Sequence, residues 1–370
     1  MRAAWVAVAC VLLSGCGTRG GAVPAQPGVV NTSLVKVEKG GVPTLTEERQ
    51  VLAYARAAMA ELTPSITFRL EGGDMYNRAY SLANVLLRDG VAVSFSICTR
   101  GSEVILQPNY ADNEVMLYAY RHPSAQARLT SEQRRALSLA RNVVNRVCAE
   151  YSSDYERALA LHDYIVLNGT YTSEMHGQDS ANATARLLLT GKGVCDAYTR
   201  AYRLMLSMAG IENIFVAGEA QRDNHCWNLV RLQGRWVHVD CTYSDPKPDE
   251  PGRVYHTHFA LPDALLATDH QWDRSKYPAA VTSALYYPFR YASFATVEQL
   301  VAWCREHRME VGSQYVTAYV EEVRNLDNNQ YITHRLFEAA HTDLGVHVVA
   351  AFALEENLPG VIVCRCKVND

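Results

Sequence analysis

Several features that would point to particular classes of protein are missing from this chain. Beyond the first residues, no segment stays apolar for the about 18 residues of a membrane-spanning helix. No basic block exceeds two residues and the formal net charge is -4, which argues against nucleic acid as a partner. The ten cysteines include no Cys-x-x-Cys spacing, so no redox or zinc-ribbon motif is indicated. The remainder is an ordinary globular composition, 48% hydrophobic and 20% charged, over 370 residues.

The N-terminus has the pattern of an export signal. Arg2 supplies a positive charge, and residues 3–13 form an apolar run that is too short to span a bilayer. The run leads through Ser14 and Gly15 to Cys16, which resembles the bacterial lipoprotein signal, where cleavage precedes the cysteine and its thiol carries lipid. We therefore expect a signal peptide over 1–15, a lipid anchor at Cys16 and an extracytoplasmic position in the bacterial cell envelope. An ordinary secretory signal with an incidental cysteine is the alternative.

The rest of the chain divides by composition and periodicity. Residues 16–44 are rich in Gly, Pro, Thr and Val without a sustained period, which predicts a tether. Three units are predicted to follow: a small α+β unit over 45–124 that ends in a strand over 114–120, a central domain over 125–290, and a second α+β unit over 291–370. The order helix, strand, helix, hairpin in the last unit echoes residues 45–108. Either one unit is duplicated or the two are unrelated.

A glycine-rich turn leads into a helix at Cys195. Gly191 and Gly193 flank Lys192, and helical spacing then extends over 194–208. In the first turn of a helix, free backbone amides and the helix dipole favour an anion and lower the pKa of a thiol. The position therefore indicates a reactive thiolate, although a lone cysteine at a helix start is more often structural.

Two further residues complete a pattern that is typical of thiol catalysis. His225 begins a predicted strand, and Asp240 lies on the next strand across a two-residue turn at Gln233-Gly234. In this register the two side chains are diagonal neighbours on one face. A thiol nucleophile needs a base that touches it and a carboxylate that holds the base in the right tautomer. We therefore predict Cys195 as nucleophile, His225 as base and Asp240 as the orienting acid.

The surroundings of these residues resemble the core of the transglutaminase-like superfamily. The likeness covers 191–208 and 225–246, with looser flanks at Leu161-His162-Asp163-Tyr164-Ile165-Val166, 255–259 and Asp269-His270-Gln271-Trp272. It implies a papain-like catalytic core within an α+β fold, acyl transfer through a thioester, and the three roles given above. The flanks resemble bacterial members that are secreted or anchored in the envelope.

Two cysteines depart from the family pattern. Cys226 and Cys241 stand where small or aliphatic residues are usual, and we expect both to point to the face opposite the triad. The turn sets Leu232 opposite Arg235 and therefore Cys226 opposite Cys241, which makes a cross-strand disulfide one of the alternatives.

We predict no metal and no cofactor. A metal site built from Cys195, His225, Cys226, Asp240 and Cys241 is disfavoured, because adjacent residues of a strand point to opposite faces. His256 and His258 share a face, but a packing or loop role accounts for them better.

The predicted activity is cysteine-peptidase-like amide hydrolysis of a peptide or protein, with peptidoglycan among the candidate substrates. Trp227 and Trp236 flank the site and leave open an apolar tunnel that would admit an amine, so protein crosslinking by a transglutaminase is one alternative. A non-catalytic binding or scaffolding protein of the envelope is the other.

Overall fold

The computed structural model describes residues 9–12, 41–175, 180–250, 252–306, 315–325, 329–341, 346–353 and 360–368. Over these residues the fold is α+β, which confirms the predicted class. The predicted lipid anchor at Cys16 and most of the predicted tether fall within residues 13–40. These residues lie outside the described part of the chain. Among the described helices, none is long and apolar enough to cross a membrane.

The N-terminal unit is a five-stranded sheet packed against two helices. Its core includes Phe68, Phe95, Leu86 and Met59, all of which are buried. In chain order the elements are β1 (Ala9–Leu12), β2 (Thr44–Leu45), α1 (Glu48–Ala60), β3 (Ile66–Leu70), α2 (Met75–Leu87), β4 (Ala92–Arg100) and β5 (Glu103–Tyr110). The strand order is β1-β4-β5-β3-β2, with β2 parallel to β3 and the other pairs antiparallel. Strand β1 lies within residues 1–15, which cleavage of the predicted signal peptide would remove from the sheet.

The strand expected over 114–120 was wrong, because this segment is part of helix α3 (Asp112–Arg121). Its buried apolar residues, Met116, Leu117 and Ala119, follow helical spacing, and Asp112 and Glu114 occupy the first turn. Over so few residues the helical and strand periods are hard to separate. The helix packs into the central core rather than onto the N-terminal sheet.

The central domain packs helices around one buried helix that carries Cys195. Its elements are α4 (Ser131–Glu150), α5 (Asp154–Asn168), β6 (Thr170–Tyr171), α6 (Ala183–Thr190), β7 (Lys192–Gly193), α7 (Cys195–Met208), β8 (Asn213–Ala220), β9 (Asp223–Leu232), β10 (Arg235–Val239), β11 (Phe259–Leu261), α8 (Asp263–Leu266) and β12 (His270–Gln271). Capping boxes begin α4 at Thr130 and α5 at Ser153. Helix α7 is buried on nearly every side, so its first residue is held in a fixed place.

The antiparallel sheet of this domain has the strand order β11-β10-β9-β8-β12. The predicted turn is confirmed: Gln233 and Gly234 both have positive φ, at 50° and 75°, and Leu232 pairs with Arg235. At the other edge, β12 approaches β8 closely beside Gly218. A Cβ atom there would lie 2.3 Å from the Gln271 carbonyl oxygen and 2.7 Å from the Trp227 ring, so glycine alone fits.

The C-terminal unit repeats the topology of the N-terminal unit. After α9 (Tyr287–Tyr291) its elements are β13 (Ser293–Phe294), α10 (Val297–Glu306), β14 (Tyr315–Val320), α11 (Asn329–His341), β15 (Val346–Ala353) and β16 (Val361–Val368). The strand order β13-β14-β16-β15 matches β2-β3-β5-β4, including the parallel first pair. Both hairpins also carry a bulge in their first strand, at Val93 and at Val349. The echo noted in the sequence is thus also present in the strand topology.

Candidate active site

Cys195 is the first residue of the buried helix α7, with Val194 as its N-cap. Two short strands hold the turn before it, since Thr170 donates its backbone N–H to the Gly191 carbonyl at 2.6 Å and Thr172 donates to Gly193 at 3.0 Å. Gly191 has φ +73°, a conformation that favours glycine. The thiol therefore lies at the positive end of a helix whose first backbone amides have no partner within the helix.

The three predicted residues lie together. The side chain and charge of His225 act on the Cys195 thiol, and Nε2 of His225 lies 2.5 Å from Oδ2 of Asp240. The other carboxylate oxygen of Asp240 accepts backbone N–H groups from Thr242 at 2.8 Å and Tyr243 at 3.1 Å. The side chains of His225 and Asp240 are 8% and 1% exposed, so water screens their interaction little.

The electrostatics favour a thiolate beside an imidazolium. A hydrogen bond from the Cys226 thiol and the charge and hydrogen bond of His225 outweigh burial and hold the pKa of Cys195 well below its ordinary value. Burial opposes the charged form of His225, but Asp240 and Cys195 outweigh it and raise the pKa of His225 to about 10. Burial also disfavours the carboxylate, yet His225 and His270 hold the pKa of Asp240 well below its usual range. The site can therefore hold its nucleophile ionised at neutral pH.

The disulfide between Cys226 and Cys241 that the sequence left as one alternative is not formed in the structure, where both cysteines are free thiols. The register that places them opposite each other holds only to Val239, which pairs with Asn228 and ends β10. From Asp240 the chain turns: Ser244 donates its backbone N–H to the Asp240 carbonyl. Strand geometry therefore cannot be extended to Cys241.

The place of Cys226 on a strand predicted that its side chain would face away from the triad. This prediction was wrong. Its thiol is buried and interacts with that of Cys195, and this interaction together with burial raises the pKa of Cys226 well above its ordinary value. On the same residue, the backbone carbonyl accepts the Thr199 hydroxyl at 2.9 Å, which fixes the strand against α7. The alternation of side chains along a strand does not take account of the helix that packs across the strand. The sequence shows the cysteine but not this contact.

Three residues near the triad were not predicted as part of it. His270 Nε2 lies 3.1 Å from Asp240 Oδ2, His270 Nδ1 lies 2.5 Å from Asp269 Oδ1, and His258 Nε2 lies 2.9 Å from Asp269 Oδ2. All three side chains are at most 6% exposed. Asp269 and His270 fall in the sequence flanks noted above, but no spacing rule places them beside Asp240.

Trp227 lies under the candidate base rather than along a channel. It is fully buried, its ring stacks on His225 with centroids 6.0 Å apart, and its Nε1 donates to His238 Nδ1 at 3.0 Å. The ring therefore orients His225. As a wall of an open tunnel it does not qualify, because none of its surface reaches solvent.

Among the described residues, three groups of histidine and aspartate side chains lie close enough to hold a metal ion. Within each group, imidazole nitrogens contact a carboxylate oxygen directly at hydrogen-bond distance, and these bonds account for the close approach. The groups are His162, Asp163 and His256; His225, Asp240 and His270; and His258, Asp269 and His270. His256 and His258 belong to different groups. The two histidines therefore do not form together the metal site that the sequence left open.

Residues 141–241 match the model of the transglutaminase-like superfamily, and the match contains Cys195, His225 and Asp240. This part of the chain is a transglutaminase-like domain. The match covers about a quarter of the chain.

Curated relatives are similar over parts of the chain. Kyphoscoliosis peptidase of Mus musculus is 26% identical over 147 residues, which are 35% of this chain and 22% of that protein. Peptide-N(4)-(N-acetyl-beta-glucosaminyl)asparagine amidase of Caenorhabditis briggsae is 41% identical over 61 residues, 16% of this chain and 10% of that protein. The chain thus spans about a fifth or less of the length of these relatives. The periplasmic domain of TgpA from Pseudomonas aeruginosa matches with a TM-score of 0.26 and 19% identity, over 38% of this chain and 54% of that one.

Proposed function

We propose that the protein is a thiol-dependent hydrolase of peptide or protein amides that works through Cys195, His225 and Asp240. The observation that carries the proposal is that His225 acts on the Cys195 thiol while its Nε2 lies 2.5 Å from the buried carboxylate of Asp240. The pKa shifts favour a thiolate at Cys195, an imidazolium at His225 and a carboxylate at Asp240, which are the charges that a nucleophile, its base and an orienting acid require. The thiol also lies at a helix N-terminus. The similarity to a peptidase and an amidase agrees with amide chemistry.

The reaction has two halves. The Cys195 thiolate attacks the amide carbonyl carbon, and the backbone amide of Cys195 at the start of α7 donates to the resulting oxyanion. Protonated His225 gives its proton to the leaving nitrogen, the C–N bond breaks, and a thioester remains on Cys195. Neutral His225 then takes a proton from water as the water attacks the thioester, which releases a carboxylic acid and restores the thiolate and imidazolium.

Crosslinking differs only in the acceptor, because an amine replaces water in the second half. A transferase must keep water away while the amine enters. The buried position of Trp227 beneath His225 removes one of the two aromatic walls from which a tunnel could be built. We therefore favour water as the acceptor.

The proposed location is the bacterial cell envelope, with lipid on Cys16 as the anchor. It is supported by the short apolar run that ends in Ser14, Gly15 and Cys16. A lipid-anchored enzyme in this place meets peptides and peptidoglycan, and the substrate classes proposed above follow from that.

The first test uses iodoacetamide on the purified protein at about pH 6, where an ordinary thiol with a pKa of about 8.5 is mostly protonated. Cys195 should be alkylated faster than the half-buried thiol of Cys148, which serves as an internal control in the same molecule. His225→Ala should abolish the difference. Equal rates for the two thiols in the wild type would favour the scaffolding alternative over an enzyme.

The second test separates hydrolysis from crosslinking. A peptide library that contains glutamine is incubated with excess cadaverine, and the products are identified by mass spectrometry. Release of free acid that disappears in Cys195→Ala supports the hydrolase. Incorporation of cadaverine that outpaces acid release would instead make the protein a transferase.

A further inference from the structure

A line of buried imidazoles and carboxylates continues beyond the predicted triad. It leads from Asp240 to His270, from His270 to Asp269, and from Asp269 to His258, with nitrogen-to-oxygen distances of 3.1, 2.5 and 2.9 Å. His270 is at the centre of this line, and its side chain is fully buried. It lies on β12, which the close approach at Gly218 brings against β8.

The contacts of His270 determine its protonation state. Each ring nitrogen lies within hydrogen-bond distance of a carboxylate oxygen, Asp240 Oδ2 on one side and Asp269 Oδ1 on the other. Ionised carboxylates accept hydrogen bonds and cannot donate them, so both nitrogens must carry hydrogen. His270 is therefore an imidazolium between two anions. Burial opposes this charge, but the two carboxylates outweigh it and raise the pKa of His270.

The carboxylate of Asp240 has no freedom left to rotate. Its Oδ1 atom accepts the backbone N–H groups of Thr242 and Tyr243, and its Oδ2 atom receives both His225 and His270. Removal of His270 would leave Oδ2 held by the candidate base alone. The base and its carboxylate could then move together, and the thiol would lose a base at a fixed distance.

We propose that His270 is a positioning residue for this site, a cation that fixes the oxygen of Asp240 to which His225 is bound. The inference rests on the proposed triad. It adds a second cation to the buried network, which offsets part of the negative charge of Asp240 and Asp269. His270 does not itself touch the thiol or the reacting atoms.

The charge of His270 must also act on His225. The two ring centroids are 5.4 Å apart, and two unit charges at that distance, at an effective dielectric constant of about 20, shift each other's pKa by roughly two units. His270 therefore holds the pKa of His225 below the value that Asp240 alone would give it. The titratable groups that face His270 are those of Asp240, Asp269, His225, His258 and Tyr243. The charge of His270 also acts on the neutral ring of His238.

The experiment titrates the histidines by nitrogen-15 NMR in the Cys195→Ala background, where the thiolate no longer stabilises protonated His225. At neutral pH both ring nitrogens of His270 should give imidazolium shifts. Adding His270→Gln, which can still donate to Asp240 but carries no charge, should raise the pKa of His225 by about one to two units.

His238→Gln is the matched control. His238 is equally buried, lies 2.8 Å from Asp263 and contacts Trp227 as His270 does, but its Nδ1 accepts a hydrogen bond, so its ring is neutral. This variant should leave the pKa of His225 in place. A neutral His270, or an unchanged pKa of His225 in His270→Gln, would overturn the inference. Failure of the proposed function would show separately, as ordinary alkylation of Cys195 in the wild type.

Discussion

Replacing Asp240 with Asn tests the proposed site most directly. The amide oxygen of Asn can still accept the backbone N–H groups of Thr242 and Tyr243. Its NH2 group then faces His225 and His270, where the carboxylate accepted hydrogen bonds. His225 can accept from that NH2 group only as a neutral ring with its hydrogen on Nδ1. In this tautomer it cannot take the proton of Cys195.

The size of the effect follows from the pKa of His225. Its value of about 10 stands about 3.5 units above that of an ordinary histidine, and each unit corresponds to about 1.4 kcal/mol. Burial lowers this pKa, so the rise is the net of that cost and of the gains from Asp240 and Cys195; of these gains we assign roughly 3–4 kcal/mol to the carboxylate. Asp240→Asn should therefore reduce the reactive ion pair, and the rate of amide hydrolysis, by on the order of 10²- to 10³-fold, with weak activity remaining. The protein should still fold, with a cost of about 1–3 kcal/mol for imperfectly paired buried groups.

The assay is the rate of iodoacetamide alkylation of Cys195 as a function of pH. The midpoint of the wild type should lie well below that of an ordinary thiol, and Asp240→Asn should move it upward. Asp263→Asn is the matched control, because Asp263 binds the buried His238 in the same way but contacts no residue of the triad. If Asp240→Asn kept the wild-type midpoint, the carboxylate would not maintain the ion pair and our reasoning would be refuted.

Four other outcomes are expected. Cys195→Ala and His225→Ala should each abolish acid release while circular dichroism and thermal midpoint change little; an active Cys195→Ala protein would end the mechanism. Cys226→Ala removes the thiol that helps hold the pKa of Cys195 low and should raise that pKa, measured by the pH dependence of alkylation; an unmoved pKa would contradict this role. Activity should persist from the lowered pKa of Cys195 through neutral pH and fall as pH rises through about 10, because His225 then loses the proton that the leaving group needs. Cys16→Ser should move the protein from the detergent phase to the aqueous phase; retention in detergent would mean another anchor.

The sequence predicts the meeting of Cys195, His225 and Asp240 because local rules fix each of them. A glycine turn begins the helix of the cysteine, and a two-residue turn sets the register of β9 against β10 up to Val239, the residue before Asp240. These rules operate over a few residues, and the composition of the segments is enough to apply them. The α+β class follows from the same reasoning, since the periodicities of most helices and strands are clear.

The errors at the site share one cause, which is that side chains were placed by strand alternation alone. Cys226 was expected to face away, but α7 crosses the strand and brings Cys195 to its thiol. Cys241 was extrapolated past Val239, where β10 ends. His270 contacts Asp240 across 30 residues of chain, through an edge strand of only two residues. Such contacts depend on packing between elements, and no short-range pattern records them.

Gly218 has a consequence for how the effects of substitutions on this protein would be interpreted. It has no side chain, yet any side chain at this position would collide with Gln271 and Trp227 and push the strand of His270 away from its neighbour. In a saturation mutagenesis screen scored by activity, Gly218 would therefore be as intolerant as Cys195. Measuring cellular abundance alongside activity would separate the two positions, because Gly218→Ala should lower the amount of folded protein whereas Cys195→Ala should not. Intolerance in such a screen would thus mark both the residues that react and the glycine that makes room for them.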